Sequence, residues 1–102
     1  MKSTVLSKNK VPIRLEDERW LHIVDSHDEV AEMREIILSA IEVPDYLVAG
    51  WKDEILAIKQ IAPGKMLVVV YKENAPDEGF IITAYTTRRL SWLSKRRRIW
   101  EK

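Results

Sequence analysis

The stretch at residues 66–87, MLVVVYKENAPDEGFIITAYTT, constrains the fold of this chain more than any other part of the sequence. It holds two runs of apolar and β-branched residues, at 66–71 and 80–85, separated by turn-forming and charged residues at 74–79. Two such runs joined by a short break predict an antiparallel β-hairpin. Because each run is apolar at nearly every position, we expect the hairpin to lie at the centre of a sheet.

Two amphipathic helices are predicted upstream of the hairpin. In the first, at residues 16–25, the apolar positions recur with the spacing of one helix face. Ser26 and Glu29 match a capping box, which predicts that a second helix starts at Ser26. This helix should end near Glu42, because Pro44 disfavours a helical conformation at the residue before it.

Further strands are predicted on either side of the hairpin. Residues 46–50 and 54–61 have the pattern of two strands, which together with the hairpin make an antiparallel meander. Residues 11–15 form an extended segment suited to a short edge strand, and residues 90–100 suit either a short helix or one more strand.

These elements predict one domain of the α+β class over residues 1–102, with two N-terminal helices packed on a four-stranded antiparallel sheet and a short C-terminal element. Hydrophobic residues make up 46% of the chain and charged residues 32%, which is typical of a globular domain. Residues 1–10 are polar, and we expect them to be flexible.

The composition excludes several classes of function. The chain has no cysteine, so disulfides, thiolate metal sites and a cysteine nucleophile are excluded. It shows no signal peptide, and its longest apolar run is far short of the roughly 20 residues that a membrane helix needs. We therefore expect a cytoplasmic protein without a membrane partner.

Charge is divided unevenly along the chain. Residues 1–54 contain 7 Lys/Arg against 12 Asp/Glu, whereas residues 55–102 contain 10 against 4. Such an asymmetry predicts one basic surface, which suits a phosphate-bearing partner such as RNA. A basic surface that is merely solvated is equally consistent with these numbers.

The two faces of the hairpin differ in polarity. If Glu73 faces Phe80, the face that packs on the helices carries Leu67, Val69, Tyr71, Phe80, Ile82, Ala84 and Thr86. The other face carries Val68, Val70, Lys72, Ile81, Thr83, Tyr85 and Thr87. We expect this second face to be open, with Lys59 or Gln60 beside its polar end. Threonine and tyrosine are also ordinary strand residues, so a structural role stays open for each of them.

The chain has only two histidines, His22 and His27. On one helix they would point about 140° apart, which is unsuited to a shared metal ion. A histidine can act as a general acid or base near neutral pH, so each is a candidate catalytic residue. The alternative is that they are ordinary surface or core histidines.

A basic cluster follows the hairpin. It consists of Arg88, Arg89, Lys95, Arg96, Arg97 and Arg98. Trp92 and Trp100 flank its second part, and a basic stretch with interleaved aromatic residues suits binding to unpaired bases. We predict that this cluster, Trp92 and Lys72 bind RNA. A solvated basic tail is the alternative.

Four short segments together resemble a known family. They are Arg19-Trp20-x-His22-Ile23-x-x-x-His27-x-Glu29, Pro44-Asp45 followed by Gly50, Leu67-Val68-Val69-Val70-Tyr71, and Thr83-Ala84-Tyr85-x-Thr87. In order and spacing they resemble the small phage and prokaryotic domains of the barnase–EndoU–colicin–RelE-like nuclease group, over about residues 12–100. The fold of that group, two helices followed by a four-stranded antiparallel sheet, agrees with the order of elements predicted above.

The resemblance implies a metal-independent endoribonuclease that needs no cofactor. Its substrate would be tRNA or mRNA, and an antitoxin protein would hold it in check. The positions that match the family's histidines and polar sheet residues are His22, His27, Lys59, Thr83, Tyr85 and Thr87. The implied roles are His22 as base or acid, Lys59 and Arg88 for the phosphate charge, and the three sheet hydroxyls for orienting the scissile group.

The sequence leaves two other classes of function open. The chain can be a non-catalytic RNA- or protein-binding module that uses its basic C-terminal segment, or a scaffold with a groove for a partner protein. It also leaves the oligomeric state open, a homodimer included. Convergence of His22, Lys59 and Thr83 in one cleft would favour the nuclease, and their separation would count against it.

Overall fold

The hairpin is the centre of the sheet in the computed structural model, which describes residues 3–102. Along the chain the elements are β1 (Ser3–Leu6), β2 (Pro12–Leu15), α1 (Asp17–Ser26), a 3₁₀ turn (Asp28–Val30), α2 (Arg34–Glu42), β3 (Tyr46–Ala49), β4 (Ile55–Ala62), β5 (Lys65–Ala75), β6 (Glu78–Thr87), α3 (Ser91–Ser94) and β7 (Arg98–Glu101). The strands lie side by side in the order β1-β2-β6-β5-β4-β3-β7, so β5 is the middle strand.

The predicted fold, two N-terminal helices on a four-stranded antiparallel sheet, is wrong, because β1 and β2 precede the helices and the sheet has seven strands and is mixed. The meander β3-β4-β5-β6 is present, and β1, β2 and β7 extend it at its two sides. Strand β2 pairs in parallel with β6, through Ile13 with Gly79 and Arg14 with Phe80. The three added strands have four residues each, too few to give a clear alternation of apolar and polar side chains.

The N-terminal segment departs from its prediction as well. Ser3–Leu6, in the part expected to be flexible, form β1 and pair with β2. The predicted flexibility of Met1 and Lys2 lies outside the described residues. In the same way, residues 12–15 form an internal strand between β1 and β6 rather than an edge strand. Within residues 3–102, no helix is both long and apolar enough to cross a membrane.

The second helix is much shorter than its sequence pattern predicts. It begins at Arg34, after the 3₁₀ turn Asp28–Val30, and the capping box at Ser26 does not form. Val30, the last residue of the 3₁₀ turn, is completely buried in the main core and anchors the turn there. Tertiary packing therefore overrides the local capping signal.

Both faces of the central strands are covered. The helix face is the side of the sheet under α1 and α2, where Leu67, Val69, Tyr71 and Ala84 join the main core. The C-terminal face is the opposite side, where Val48, Leu56, Ile58 and Val68 pack with Leu93 of α3. Coverage on both sides explains why β5 is apolar at nearly every position.

A β-bulge changes the predicted faces of the hairpin. Lys72, not Glu73, faces Phe80, and Ile82 is an extra residue between the pairs Tyr71–Ile81 and Val70–Thr83. The bulge turns Ile81, which is 1% exposed, toward the helix face, so Phe80 and Ile82 are not the core residues predicted there. Beyond the bulge, Thr83 and Tyr85 lie opposite Val70 and Val68, on the C-terminal face.

Gly79 permits the close approach of β2 to the hairpin. A Cβ atom at this position would lie 2.4 Å from Cδ1 of Ile13 and 2.6 Å from the carbonyl oxygen of Lys72. A larger residue would therefore clash with the backbone of β5 at Lys72 and force the Ile13 side chain of β2 to move.

Replacing Tyr71 by phenylalanine is expected to raise the free energy of unfolding by about 1 kcal/mol. Its hydroxyl group is buried and has no hydrogen-bond partner among the described residues, so removing it relieves a desolvation cost. Burial, with a contribution from Glu73, also raises the pKa of Tyr71 above its ordinary value of 10.0. Because the folded protein disfavours the phenolate, wild-type stability should fall as the pH rises above 10, and less so in the variant.

Urea denaturation at pH 7 and pH 11 measures both effects. If Tyr71→Phe is less stable than wild type at pH 7, the Tyr71 hydroxyl group forms a hydrogen bond in solution, and the prediction is wrong. Leu6→Ala, at a residue that is 48% exposed on β1, is a suitable reference for a surface substitution.

Candidate functional site

The outer edge of β6 has a helix, not a strand, beside most of its length. Strand β2 pairs with β6 only at Gly79 and Phe80, and α1 with the 3₁₀ turn lies along the remainder. The backbone N–H of Thr86 donates to a carboxylate oxygen of Glu29 at 3.4 Å, where a strand partner would otherwise accept. We call this line of contact between α1, the 3₁₀ turn and β6 the seam.

His22 and Thr83 meet at the seam. They line one open pocket of about 250 Å³ together with Arg19 and Ser26, and Ile23 and Ile82 form its apolar part. The His22 side chain is exposed, and the Thr83 side chain is half-buried. An imidazole, a guanidinium and two hydroxyl groups are therefore available to one small ligand group.

His27 lies one step further along the seam. Its ring packs on Tyr85, with 5.6 Å between ring centroids, and its Nδ1 atom is 3.7 Å from a carboxylate oxygen of Glu29. Burial raises the pKa of Tyr85, and the charge of Arg96 opposes this only in part. The phenol therefore stays protonated near neutral pH and can act as a hydrogen-bond donor.

Lys59 is not part of this site, contrary to the prediction. It lies on β4 between Ala57 and Ile61, whose side chains belong to the helix face, whereas Thr83 lies on the C-terminal face. Its Nζ atom donates to the carbonyl oxygen of Val43, just after α2, at 3.1 Å. Of the three residues whose convergence would favour the nuclease, only His22 and Thr83 therefore meet in one pocket, and the separation of Lys59 counts against it.

Thr87, the last predicted catalytic residue, ends β6. Its hydroxyl oxygen accepts a hydrogen bond from the backbone N–H of Arg89 at 3.0 Å, which fixes the turn that follows the strand. Arg88, predicted to bind the phosphate, donates to the carbonyl oxygen of Pro63 at 3.3 Å. Neither residue lines the pocket of His22.

A larger concavity of about 630 Å³ lies on another side of His22. Its lining includes the carboxylates of Glu18, Asp25 and Asp28. Negative charges repel phosphate, so this concavity suits RNA less well than the pocket shared with Thr83. Within the described chain, no group of three or more His, Asp or Glu side chains is placed to hold a metal ion.

A row of stacked side chains starts at His27 and crosses the C-terminal face. Tyr85 stacks on Trp92 and Trp92 stacks on Trp51, with 6.4 Å between the ring centroids in each pair. The guanidinium of Arg96 covers the ring of Trp51 at 4.1 Å. We call these residues, His27, Tyr85, Trp92, Trp51 and Arg96, the aromatic row.

The predicted partner of Trp92 in this surface, Trp100, is elsewhere. Its ring packs against the core of the helix face and lies under the ammonium group of Lys8 at 4.6 Å. Trp51, which was not among the residues predicted to bind RNA, takes its place. A tryptophan in a predicted loop was the available signal, because loops are exposed and a large aromatic side chain there has little to pack against.

The basic residues fall into two groups. Lys72 pairs with Asp53 at 3.3 Å, and Arg98 pairs with Glu101 at 3.1 Å. Arg89, Lys95 and Arg97 are exposed, and their side chains form no hydrogen bond or ion pair with any residue from 3 to 102. These three unpaired cations all belong to the segment that carries Trp92.

No protein-family model matches this chain, and searches of curated proteins and of solved structures gave no significant match. The resemblance to the RelE-like nuclease group therefore stays a prediction from sequence.

Proposed function

We propose that this protein is an endoribonuclease whose active site is the seam between α1 and β6. The observation that carries the proposal is the pocket shared by His22 and Thr83, with Arg19 beside them. His27 and Tyr85 lie next along the same seam. Four of the six residues predicted to be catalytic thus line one edge of the sheet, although they are far apart in the chain.

The proposed reaction needs no metal ion. The 2′-hydroxyl of RNA gives its proton to a base, and its oxygen forms a bond to the adjacent phosphorus. The bond between phosphorus and the 5′ oxygen breaks, and that oxygen takes a proton from an acid. The products are a 2′,3′-cyclic phosphate and a 5′-hydroxyl end, and imidazoles can perform both proton transfers.

We assign one proton transfer to His22 and the other to His27. Their partners on the sheet, Thr83 and Tyr85, are two residues apart on one face of β6, which separates them by about 7 Å. The Thr83 hydroxyl would form a hydrogen bond with a phosphate oxygen, and the Tyr85 phenol would donate a hydrogen bond to a neighbouring group of the RNA. One scissile phosphate between the two pairs would meet both imidazoles.

Arg19 takes over the role first given to Lys59. Its guanidinium lies in the pocket of His22 and can neutralise the charge that develops on the phosphate oxygens. The Lys59 ammonium group is bound to the carbonyl oxygen of Val43 and lies on β4, two strands from β6 and outside that pocket. A cation at this place offers the transition state little stabilisation.

The aromatic row supports a second candidate function, a non-catalytic RNA-binding module. Stacked rings beside unpaired cations suit RNA whether or not the seam cleaves it. The two functions differ in one observable, namely whether RNA is broken or only bound.

The direct test is incubation of the purified protein with total RNA or tRNA in EDTA. We expect cleavage that leaves 2′,3′-cyclic phosphate and 5′-hydroxyl ends, and no cleavage of RNA whose 2′-hydroxyls are methylated. End-group analysis of the fragments measures this. Intact RNA under all conditions would exclude the nuclease and leave the binding module, while fragments with 5′-phosphates would exclude the proposed mechanism.

The same proposal implies where the protein acts and what restrains it. Its substrate is found in the cytoplasm, and an active nuclease there would need an inhibitor, which is the role of an antitoxin. Impaired growth on expression of wild type, absent for a variant without the seam histidine His22, would agree with this.

A further inference from the structure

The loop that carries Trp51 is held in one place although its tryptophan is 70% exposed. The guanidinium of Arg96 donates to the carbonyl oxygens of Ala49 and Gly50, at 2.6 Å and 2.7 Å. At the other side of the loop, the backbone N–H of Gly50 donates to the carbonyl oxygen of Glu54 at 2.8 Å. The indole is therefore presented to solvent at a fixed position, and a rigid exposed ring loses little entropy on binding a ligand.

The surroundings of the aromatic row favour a polyanion. Arg89, Lys95 and Arg97 are unpaired and come from the turns around α3, next to Trp92. Of the two carboxylates of the Trp51 loop, that of Asp53 pairs with Lys72 at 3.3 Å, and that of Glu54 accepts a hydrogen bond from the backbone N–H of Lys52. The members of the row cover one another's ring faces in part, so a ligand would meet the exposed part of Trp51 together with unpaired positive charge.

We infer that the aromatic row binds the unpaired bases of single-stranded RNA, so that the substrate of the seam is single-stranded. This inference rests on the proposed function in one respect, since it takes the bound strand to be the one that is cleaved. Bases in a duplex are stacked on each other and hide their faces, whereas unpaired bases can stack on tyrosine and tryptophan. The row begins at His27, so a strand bound there runs directly into the proposed active site.

The test uses a ligand that cannot be cleaved, which separates binding from catalysis. The probe is a 2′-O-methylated oligouridine of about 12 nucleotides, within the usual range of a single-strand site. We expect Trp51→Ala to weaken its binding about 5- to 100-fold, which corresponds to the loss of one stacked base. Leu6→Ala, on the far edge strand, should change the affinity less than two-fold.

The contribution of the basic side chains to binding is measured separately, from the dependence of affinity on salt concentration. For Arg97→Ala we expect the slope of log K against log salt concentration to become shallower by about 0.7, the value for one phosphate contact with a single strand. Lys10→Ala removes an exposed lysine of the loop between β1 and β2, which belongs neither to the aromatic row nor to the basic segment around α3, and should leave the slope unchanged.

Several results would overturn the inference. Binding of the same oligonucleotide annealed to its complement with equal affinity would exclude single-strand recognition. Unchanged affinity in Trp51→Ala would exclude the row even if the protein cleaves RNA. No binding of any oligonucleotide would point to a protein partner instead. Loss of binding in Trp51→Ala, in a protein that never cleaves RNA, would support the row while refuting the proposed nuclease.

Discussion

Replacing His22 by alanine is expected to lower the rate of RNA cleavage about 10²- to 10⁴-fold, the usual contribution of a general acid or base. The side chain is exposed on α1 and makes no contact that the fold needs, so the thermal unfolding midpoint should stay close to that of wild type. Single-turnover cleavage of a defined RNA measures the rate. The same preparation also controls for contaminating nucleases, because a contaminant would cleave equally well in both proteins.

Two further substitutions make the His22 experiment specific to the seam. Thr83→Val keeps the shape of the side chain and removes its hydroxyl, so it should slow cleavage without unfolding the strand. Lys59→Ala tests the assignment of Lys59 to the active site, which came from the sequence. The structure places this side chain on the helix face, so we expect little change in the rate of cleavage. A loss of activity in Lys59→Ala equal to that in His22→Ala would refute the seam as the active site.

Replacing Leu93 by alanine is expected to lower the free energy of unfolding by about 2–5 kcal/mol. Leu93 is 1% exposed and is the buried side chain that α3 places against Val48, Leu56, Ile58 and Val68. A four-residue helix has no stability of its own, so this contact holds α3 on the sheet, whereas β7 is held by its pairing with β3. Equilibrium urea denaturation, followed by far-ultraviolet circular dichroism, measures the loss.

Leu21→Ala is the matched control for Leu93. The side chain of Leu21 is 68% exposed on α1, and its truncation should change stability by less than about 0.5 kcal/mol. A loss below about 1 kcal/mol in Leu93→Ala would mean that the C-terminal face is held by the aromatic row rather than by its apolar core.

Apolar patterns predicted where the hairpin and α1 form, but not the length of α2. Strands β5 and β6 extend into the predicted turn at residues 74–79, whereas α2 begins at Arg34 and not at Ser26. Strands β1, β2 and β7 have four residues each; β1 pairs with its neighbour β2, but β2 and β7 also need β6 and β3, which are distant in the chain. Such partners are not encoded in any local pattern, so a four-stranded sheet was the natural but wrong prediction.

The bulge at Ile82 shows a second limit of sequence reasoning. Side chains alternate between the faces of a strand, so one inserted residue reverses the assignment of everything on its far side. Thr83 and Tyr85 were assigned to the correct face because they lie beyond the bulge, while Phe80 and Ile81 were exchanged. Nothing in the sequence marks the bulge, since isoleucine is equally suited to either face.

For the candidate site, the residue types were predictable and their neighbours were not. A histidine helix and a strand with hydroxyl groups can be recognised from the sequence, but the placement of α1 along the edge of β6 cannot. That placement brings Arg19 into the pocket and leaves Lys59 outside it. The contact of Trp51 with Trp92 likewise joins the loop after β3 to α3, which are far apart in the chain.

The short connection between β2 and α1 bears on which insertions the pocket of His22 can tolerate. Strand β2 ends at Leu15 and α1 begins at Asp17, so Glu16 is the whole connection. Each residue added to a helix rotates the later side chains by about 100° around its axis. A residue inserted within α1 ahead of His22 would therefore turn either His22 away from the edge of β6 or Ile23 out of the core, whereas one inserted at Glu16 would only lengthen the connection.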